Sequence, residues 1–147
     1  MSELRELYQE VILEHSRHPR NYRALQTASH KAEGFNPLCG DRFTIYADVK
    51  DGAIQDLSFE GSGCAISKAS ASMMTQSLKG KSTAEAEELF TRFHDLVTGQ
   101  GGPGDALGKL AVFGGVSEFP LRVKCATLAW HALRAALRGD QEAVSTE

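Results

Sequence analysis

Three cysteines and one aspartate carry side chains that could hold a metal ion or handle sulfur: Cys39, Asp41, Cys64 and Cys125. Thiolate is the form of cysteine that binds metals and attacks sulfur. Each cysteine is expected at the boundary of a secondary-structure element, and Asp41 adds a carboxylate oxygen two residues after Cys39. Three sulfurs and one oxygen are a tetrahedral set that zinc accepts, and iron–sulfur clusters also favour thiolates. The spacing alone leaves buried structural cysteines as an alternative.

The segment 61–67, with the sequence GSGCAIS, follows a predicted strand and precedes a predicted helix. Its two glycines allow a sharp turn and the close approach of another group to the backbone. Cys64 then falls at or near the first turn of the helix. There, free backbone N–H groups and the helix dipole favour the thiolate over the thiol. The segment therefore predicts a reactive or metal-binding cysteine.

Hydrophobic periodicity predicts one α+β domain over residues 1–147, with residues 140–147 as a frayed tail. Helical patterns occupy 3–16, 64–78, 82–97 and 125–137, and strand patterns occupy 29–35, 42–49 and 54–60. The Asp-Gly pair at 51–52 is typical of a hairpin turn. Strands grouped before helices favour a three-stranded antiparallel sheet with helices packed against it, in a single compact domain. Ile54 has the wrong parity for the buried face of its strand, which indicates a β-bulge or a later strand start.

The hairpin also predicts where two of the cysteines meet. Because strands 42–49 and 54–60 run antiparallel, the start of the first lies beside the end of the second. Cys39 and Cys64 are therefore expected at the same end of the sheet. Local geometry does not place Cys125, although its position on an apolar helical stripe is compatible with convergence on the other two.

Composition and charge argue against several classes of protein. The net charge of −3, with no basic stripe, makes nucleic acid a poor candidate partner. No apolar run approaches the roughly 20 residues that span a bilayer, and the first residues lack the apolar core of a signal peptide. A cytoplasmic protein without a membrane segment is expected. In a reducing compartment, the cysteines are expected as thiols or metal ligands and not as disulfides.

The three cysteine segments together resemble a known family. Residues 36–41 (NPLCGD), 61–67 (GSGCAIS) and 122–128 (RVKCATL) are similar to the cysteine motifs of the IscU/SufU family, the NifU N-terminal-like iron–sulfur cluster assembly proteins. The similarity runs from the first helix to about residue 138. It implies a compact α+β domain that carries the cysteines and Asp41 at one exposed end. The implied metal ligands are Cys39, Asp41, Cys64 and Cys125, and the three cysteines among them are the implied cluster ligands.

Two features make the chain similar to the SufU branch. In the IscU branch a histidine directly precedes the third cysteine, where this chain has Lys124, and the segment 99–119 resembles a SufU insertion. This resemblance implies a zinc-dependent sulfur acceptor of the SUF system, which takes persulfide sulfur from a SufS-like cysteine desulfurase. It implies an accessory protein of sulfur transfer, monomeric on its own, that serves downstream cluster-assembly or apo-acceptor proteins. The alternative is a scaffold on which a transient [2Fe–2S] cluster is built and transferred.

Cys39 is the expected sulfur acceptor. Cys64 and Cys125 are each predicted at a helix start, so moving them would disturb a packed element. Cys39 lies in a loop between Pro37 and Gly40, where a small backbone rotation can swing its side chain outward. The loop therefore gives Cys39 the freedom that an acceptor thiol needs.

Residues outside the cysteine motifs have weaker interpretations. Arg122 and Lys124 precede the third cysteine, beside the expected metal end, and are the expected desulfurase contact, or else solvated charges. A cysteine hydrolase would need a base such as His94 or His131, but neither lies in a motif-like loop. A purely structural zinc module is a further alternative. His15 is expected to be a solvated surface histidine.

Overall fold

The computed structural model describes residues 2–37, 40–100, 104–139 and 144–145, and the side chains of 9–37, 40–100 and 107–139. The helices are α1 (Ser2–Arg17), α2 (Ala65–Leu78), α3 (Thr83–Thr98) and α4 (Pro120–Leu137), with a 3₁₀ segment at Gly104–Glu118. The strands are β1 (His30–Asn36), β2 (Asp41–Lys50), β3 (Ala53–Ser62) and β4 (Val144–Ser145). Among the described helices, none is both long enough and apolar enough to cross a bilayer.

The sheet has the strand order β3-β2-β1-β4. β1 pairs with β2 and β2 pairs with β3, both antiparallel, so the predicted three-stranded antiparallel sheet is confirmed. The two residues of β4 add a short parallel contact with Gly34 and Phe35 at the β1 edge. They belong to the segment expected to be a frayed tail, of which 140–143 and 146–147 lie outside the described residues.

The β2–β3 hairpin contains the predicted irregularity. Pairing runs as far as Asp48 opposite Asp56 and then shifts to Val49 opposite Ile54. The extra residue on β3 turns Ile54 toward the core, where its side chain is fully buried. The turn at 51–52 has φ values of 54° and 76°, as the tight hairpin predicts. Local sequence signals therefore set both the turn and the bulge.

The helices pack on one another and on the sheet, and the core lies between them. α4 packs against β1, β2 and α2, while α1 packs against α2 and α3 packs against the 3₁₀ segment. Trp130 of α4 stacks on Phe93 of α3 with ring centroids 4.5 Å apart, and its Nε1 donates to the Ser70 hydroxyl of α2 at 3.0 Å. These contacts hold α4 in place, and α4 carries Cys125.

Two helical features differ from the sequence prediction. α4 begins at Pro120 and not at Cys125, because proline fits the first helical position, where the missing N–H costs no hydrogen bond. Cys125 is therefore the sixth residue of α4 and lies beyond its first turn. Residues 107–119 show no clear period in the sequence, yet residues 104–118 form a 3₁₀ segment that is kinked at Gly108 and buries Phe113.

His15 is buried, so the expectation of a solvated surface histidine is wrong. The residue is 5% exposed, and the Nδ1 of His15 lies 2.8 Å from the Ser72 hydroxyl of α2. The same hydroxyl accepts the backbone N–H of Arg20 at 2.8 Å. Burial, together with the positive charges of Arg20 and Lys109, lowers the pKa of His15. His15 therefore links α1 to α2 through this hydrogen bond.

Candidate metal centre

Cys64 is the N-cap residue of α2, in agreement with its predicted position at the helix start. Its backbone is extended, with φ −72° and ψ 170°, and its sulfur accepts the Ser67 N–H at 3.4 Å. The residue is half-buried. Its thiol is thus tied to the free N–H groups at the start of α2, which stabilise a thiolate.

Glycines before Cys64 let the chain pass close to the neighbouring strand. Gly61 has φ +139°, and a Cβ there would overlap the carbonyl oxygen of Arg42. A Cβ on Gly63 would lie 2.5 Å from the Ser67 hydroxyl and 2.8 Å from Asp41 Oδ1. Any side chain at either position would therefore push Cys64 away from Asp41.

Asp41 is the first residue of β2 and is fully buried. Its Oδ1 accepts the backbone N–H of Cys64 at 2.9 Å. Its Oδ2 is buried and has no hydrogen-bond partner within the described part of the chain. A buried carboxylate oxygen without a partner is unfavourable, and a bound cation would supply the missing interaction. Asp41 therefore combines a structural bond to Cys64 with an oxygen that is free to bind a metal.

Cys125 is fully buried, and Asn36 lies beside it. The Asn36 Nδ2 donates to the Cys125 sulfur at 3.7 Å, and Asn36 pairs with Asp41 across β1 and β2. An N–H group aimed at sulfur favours the negatively charged thiolate. The sequence prediction did not single out Asn36, although it opens the 36–41 motif that also holds Cys39.

The ligand atoms of Asp41, Cys64 and Cys125 all lie within 4.8 Å of one another. Among the described side chains this is the one group of three or more histidine, cysteine or acidic residues so placed. Two sulfurs bound to a tetrahedral zinc lie about 3.8 Å apart, given Zn–S bonds of about 2.3 Å. The cluster therefore fits a metal ion of this kind after a small contraction.

Cys39, the fourth predicted ligand, lies outside the described residues. The Gly40 N–H donates a hydrogen bond to the Asn36 carbonyl at 2.9 Å, so the described residues on the two sides of the 38–39 pair are held together. Gly40 directly precedes Asp41 in the chain. The structure thus brings three of the four predicted ligands together, and the place of Cys39 in the set stays a prediction.

The electrostatics of the site favour thiolate at Cys64. Hydrogen bonding with Cys125 lowers the pKa of Cys64 to about 5, and Ser67 acts in the same direction. Burial and the Asp41 carboxylate oppose this shift without cancelling it. A thiolate beside a carboxylate attracts a divalent cation and repels anions.

The two histidines considered as hydrolase bases lie together elsewhere. The rings of His94 and His131 are 6.2 Å apart, and both contact Phe90. Burial, aided by the charges of His94 and Arg134, lowers the pKa of His131. Neither histidine belongs to the ligand cluster found among the described side chains. Within the described residues, the hydrolase interpretation therefore lacks a histidine base beside Cys64 and Cys125.

The structure defines an α+β domain that gathers two cysteines and an aspartate, a set of metal-ligand side chains, at one end of its sheet. Residues 7–139 match the family model described as NifU-like N terminal domain. The chain is 39% identical over 144 residues to the iron–sulfur cluster assembly scaffold protein IscU of Streptococcus pyogenes serotype M1, covering 97% of this chain and 90% of that protein. It is 43% identical over 128 residues to the zinc-dependent sulfurtransferase SufU of Bacillus subtilis, covering 86% of each.

A solved structure supports the same assignment. The crystal structure of a protein from Fervidobacterium islandicum AW-1, assigned to iron–sulfur cluster assembly in the SUF system, has a TM-score of 0.84 and 35% identity. The match covers 90% of this chain and 97% of that one. The chain therefore belongs to the NifU-like N-terminal domain family, the IscU and SufU proteins of iron–sulfur cluster assembly.

Proposed function

We propose that this protein is a zinc-dependent sulfur acceptor of a SUF system, which receives persulfide sulfur from a cysteine desulfurase and serves cluster-assembly or apo-acceptor proteins. The observation that carries the proposal is the grouping of Asp41, Cys64 and Cys125, with one Asp41 oxygen left without a partner in the described structure. Similarity to the Bacillus subtilis zinc-dependent sulfurtransferase supports zinc as the metal. We further propose that residues 1–147 work as one cytoplasmic, monomeric unit.

The proposed zinc ligands are Cys39, Asp41, Cys64 and Cys125. Zinc, when bound, would keep its thiol ligands deprotonated at neutral pH. The protein's own contribution is to hold the donor atoms in place. Asp41 fixes the backbone of Cys64 through the 2.9 Å bond, and Asn36 directs an N–H group at the Cys125 sulfur. Such supporting contacts orient ligands and tune their charge.

Cys39 is the proposed sulfur acceptor. Its thiolate attacks the terminal sulfur of the desulfurase persulfide, and a new S–S bond forms at Cys39 while the S–S bond in the desulfurase breaks. The desulfurase cysteine leaves as a thiolate, so the exchange needs no external oxidant or reductant. Cys64 and Cys125 are poorer acceptors because α2 and α4 hold their backbones.

We propose the exposed start of α4 as the desulfurase contact. Phe119 and Leu121 are 60% and 61% exposed, and Arg122 and Lys124 follow them on the way to Cys125. Exposed apolar side chains beside cations suit a contact surface next to the centre. Arg122→Glu combined with Lys124→Glu should weaken desulfurase activation while leaving urea denaturation unchanged. Unchanged activation would remove both residues from the interface.

A [2Fe–2S] scaffold is the second candidate function. Hydrogen bonds to the sulfur ligands of an iron–sulfur cluster tune its reduction potential, and Asn36 donates such a bond to Cys125. The similarity to the Streptococcus pyogenes scaffold protein supports the same function. Anaerobic reconstitution with iron and sulfide separates the two functions. A stable coloured cluster that transfers to an apo-protein supports the scaffold, whereas failure to hold a cluster supports the sulfur acceptor.

The decisive experiment locates the transferred sulfur. Zinc-loaded protein is incubated with a SufS-like desulfurase and cysteine, alkylated, and mapped by mass spectrometry. We expect one added sulfur on Cys39 and none in Cys39→Ser, whose fold is checked by circular dichroism. Sulfur on Cys64 or Cys125, with Cys39 unmodified, would show that the acceptor is assigned wrongly. A desulfurase that turns over while no cysteine gains sulfur would overturn the proposed function.

A further inference from the structure

The segment after α1 pairs along the outer edge of β3. β3 is the edge strand of the sheet, and its Phe59 accepts the Arg23 N–H at 3.0 Å and donates to the Asn21 carbonyl at 3.1 Å. Backbone groups of alternate residues on an antiparallel strand point the same way, so those of Gly61 also face this edge. Gly61 lies beyond the reach of that backbone pairing.

The Tyr22 side chain continues this edge pairing as far as Gly61. Its hydroxyl donates to the Gly61 carbonyl at 2.6 Å and accepts the Gly61 N–H at 3.1 Å. Its ring packs edge-on against Phe59 with centroids 5.1 Å apart. One phenol therefore satisfies both backbone groups of a glycine that stands three residues before Cys64.

We propose that Tyr22 is a positioning residue for the candidate metal centre, because its hydroxyl fixes the Gly61 backbone and thereby the turn that delivers Cys64 to Asp41. This inference rests on the proposed zinc site. Glycine loses more conformational freedom on ordering than any other residue, and the 61–63 stretch contains two glycines. Gly61 pairs with Phe43 of β2 on one side, and the two hydrogen bonds from Tyr22 restrain its backbone on the other side.

Tyr22 also connects the candidate metal centre to the N-terminal part of the chain. Tyr22 follows Asn21, whose side chain donates to Thr75 of α2 at 3.1 Å, and Arg20, whose N–H bonds the Ser72 hydroxyl. The segment that carries Tyr22 is thus held by α2, the helix that Cys64 caps. Cys64 is fixed from two sides, by the helix that follows it and by the edge strand that precedes it.

Tyr22→Phe tests the proposal because it removes the hydroxyl and keeps the ring on Phe59. Chelator competition should show zinc bound about 10-fold more weakly, at the lower end of the loss typical of supporting contacts. The matched control is Tyr46→Phe, which removes a tyrosine hydroxyl bonded to Glu60 at 2.8 Å on the same hairpin. The control should bind zinc as the wild type does.

Amide hydrogen exchange on the metal-free proteins gives a readout that does not depend on zinc. In Tyr22→Phe, the amides of Gly61 and Cys64 should exchange faster, while amides in the middle of β2 stay protected. Faster exchange at Gly61 alone, with wild-type zinc affinity, would overturn the proposal. Tyr22 would then stabilise only the Gly61 backbone and would not position Cys64. Faster exchange across the whole sheet would also overturn it, since the effect would then be global destabilisation. If the wild-type protein binds no zinc, the proposed function fails. The rate of amide hydrogen exchange at Cys64 in Tyr22→Phe still tests whether the Tyr22 hydroxyl positions Cys64.

Discussion

Cys64 and Cys125 reach the candidate centre from two different kinds of structure. Cys64 caps α2 and is half-buried, so its position depends on the glycine turn at 61–63 and on the Asp41 carboxylate. Cys125 is fully buried in the second turn of α4, where helical hydrogen bonds hold its backbone and Asn36 donates to its sulfur. One thiol is positioned by a turn and the other by a packed helix.

This difference divides the centre into a turn side at Cys64 and a helix side at Cys125. Hydrogen bonds to Asp41 and Tyr22 hold the backbone of the turn side, whereas the packing of α4 against two strands and α2 holds the helix side. Substitutions at the turn should therefore act through geometry. Substitutions around Cys125 should act through the charge and hydrogen bonding of its sulfur.

The largest expected effect comes from removing a ligand from either side. Asp41→Asn keeps an oxygen to accept the Cys64 N–H but loses the charge, and Cys125→Ser loses a sulfur. Each should weaken zinc binding by more than about 100-fold, beyond the loss typical of supporting residues. Metal analysis by mass spectrometry measures the zinc content, with Asp48→Asn on the same strand as the control. Full zinc content in both variants would remove these residues from the metal site.

Gly63→Ala should be the next largest change, and it tests the turn side. The new Cβ would press on Ser67 and Asp41, so urea denaturation of the metal-free protein should show a loss of about 1–3 kcal/mol. Gly115→Ala is the matched control, because a Cβ there meets no described atom within 4 Å. Equal losses of unfolding free energy in Gly63→Ala and Gly115→Ala would mean that the turn before Cys64 is not tightly packed.

Asn36→Asp tests the helix side. The donor amide is replaced by a carboxylate that repels the Cys125 thiolate, so zinc affinity should fall about 10-fold to 100-fold. Chelator competition measures this loss, and unfolding of the metal-free variant shows whether the fold is intact. Zinc affinity equal to that of the wild type would mean that the Asn36–Cys125 contact does not tune the site.

The smallest expected effect lies away from both cysteines, at the contact between α1 and α2. The pKa of His15 is lowered in the folded protein, so the unfolded state binds a proton more readily. The free energy of unfolding should therefore fall as pH drops below the usual histidine range of about 6.5. In His15→Gln, urea denaturation between pH 8 and 5 should show a weaker pH dependence. An unchanged pH dependence would assign the effect to other groups, of which His131 is the first candidate.

Sequence alone predicted those parts of the fold that depend on neighbouring residues. The hairpin turn at 51–52, the bulge at Ile54 and the cap position of Cys64 all follow from local patterns. The hairpin also implied that Cys64 lies at the end of the sheet where β2 begins, which is the position of Asp41. These features are set by backbone chemistry over a few residues.

Long-range contacts were not predictable in the same way. Asn36 meets Cys125 across 89 positions and Tyr22 meets Gly61 across 39, so no local pattern reveals either contact. His15 is buried beside Ser72 of α2, which lies 57 positions further along the chain. The start of α4 was missed for a different reason, since Pro120 can end one element or begin the next.

X-ray absorption at the zinc edge identifies the atoms that bind the metal. For zinc bound to the wild-type protein, we predict three sulfur ligands at about 2.3 Å and one oxygen at about 2.0–2.2 Å. Asp41→Asn should change the oxygen shell and leave the sulfurs in place, whereas Cys125→Ser should remove one sulfur. A first shell made of nitrogen and oxygen alone, or a wild-type spectrum that Cys64→Ser and Cys125→Ser leave unchanged, would contradict a metal centre at these residues.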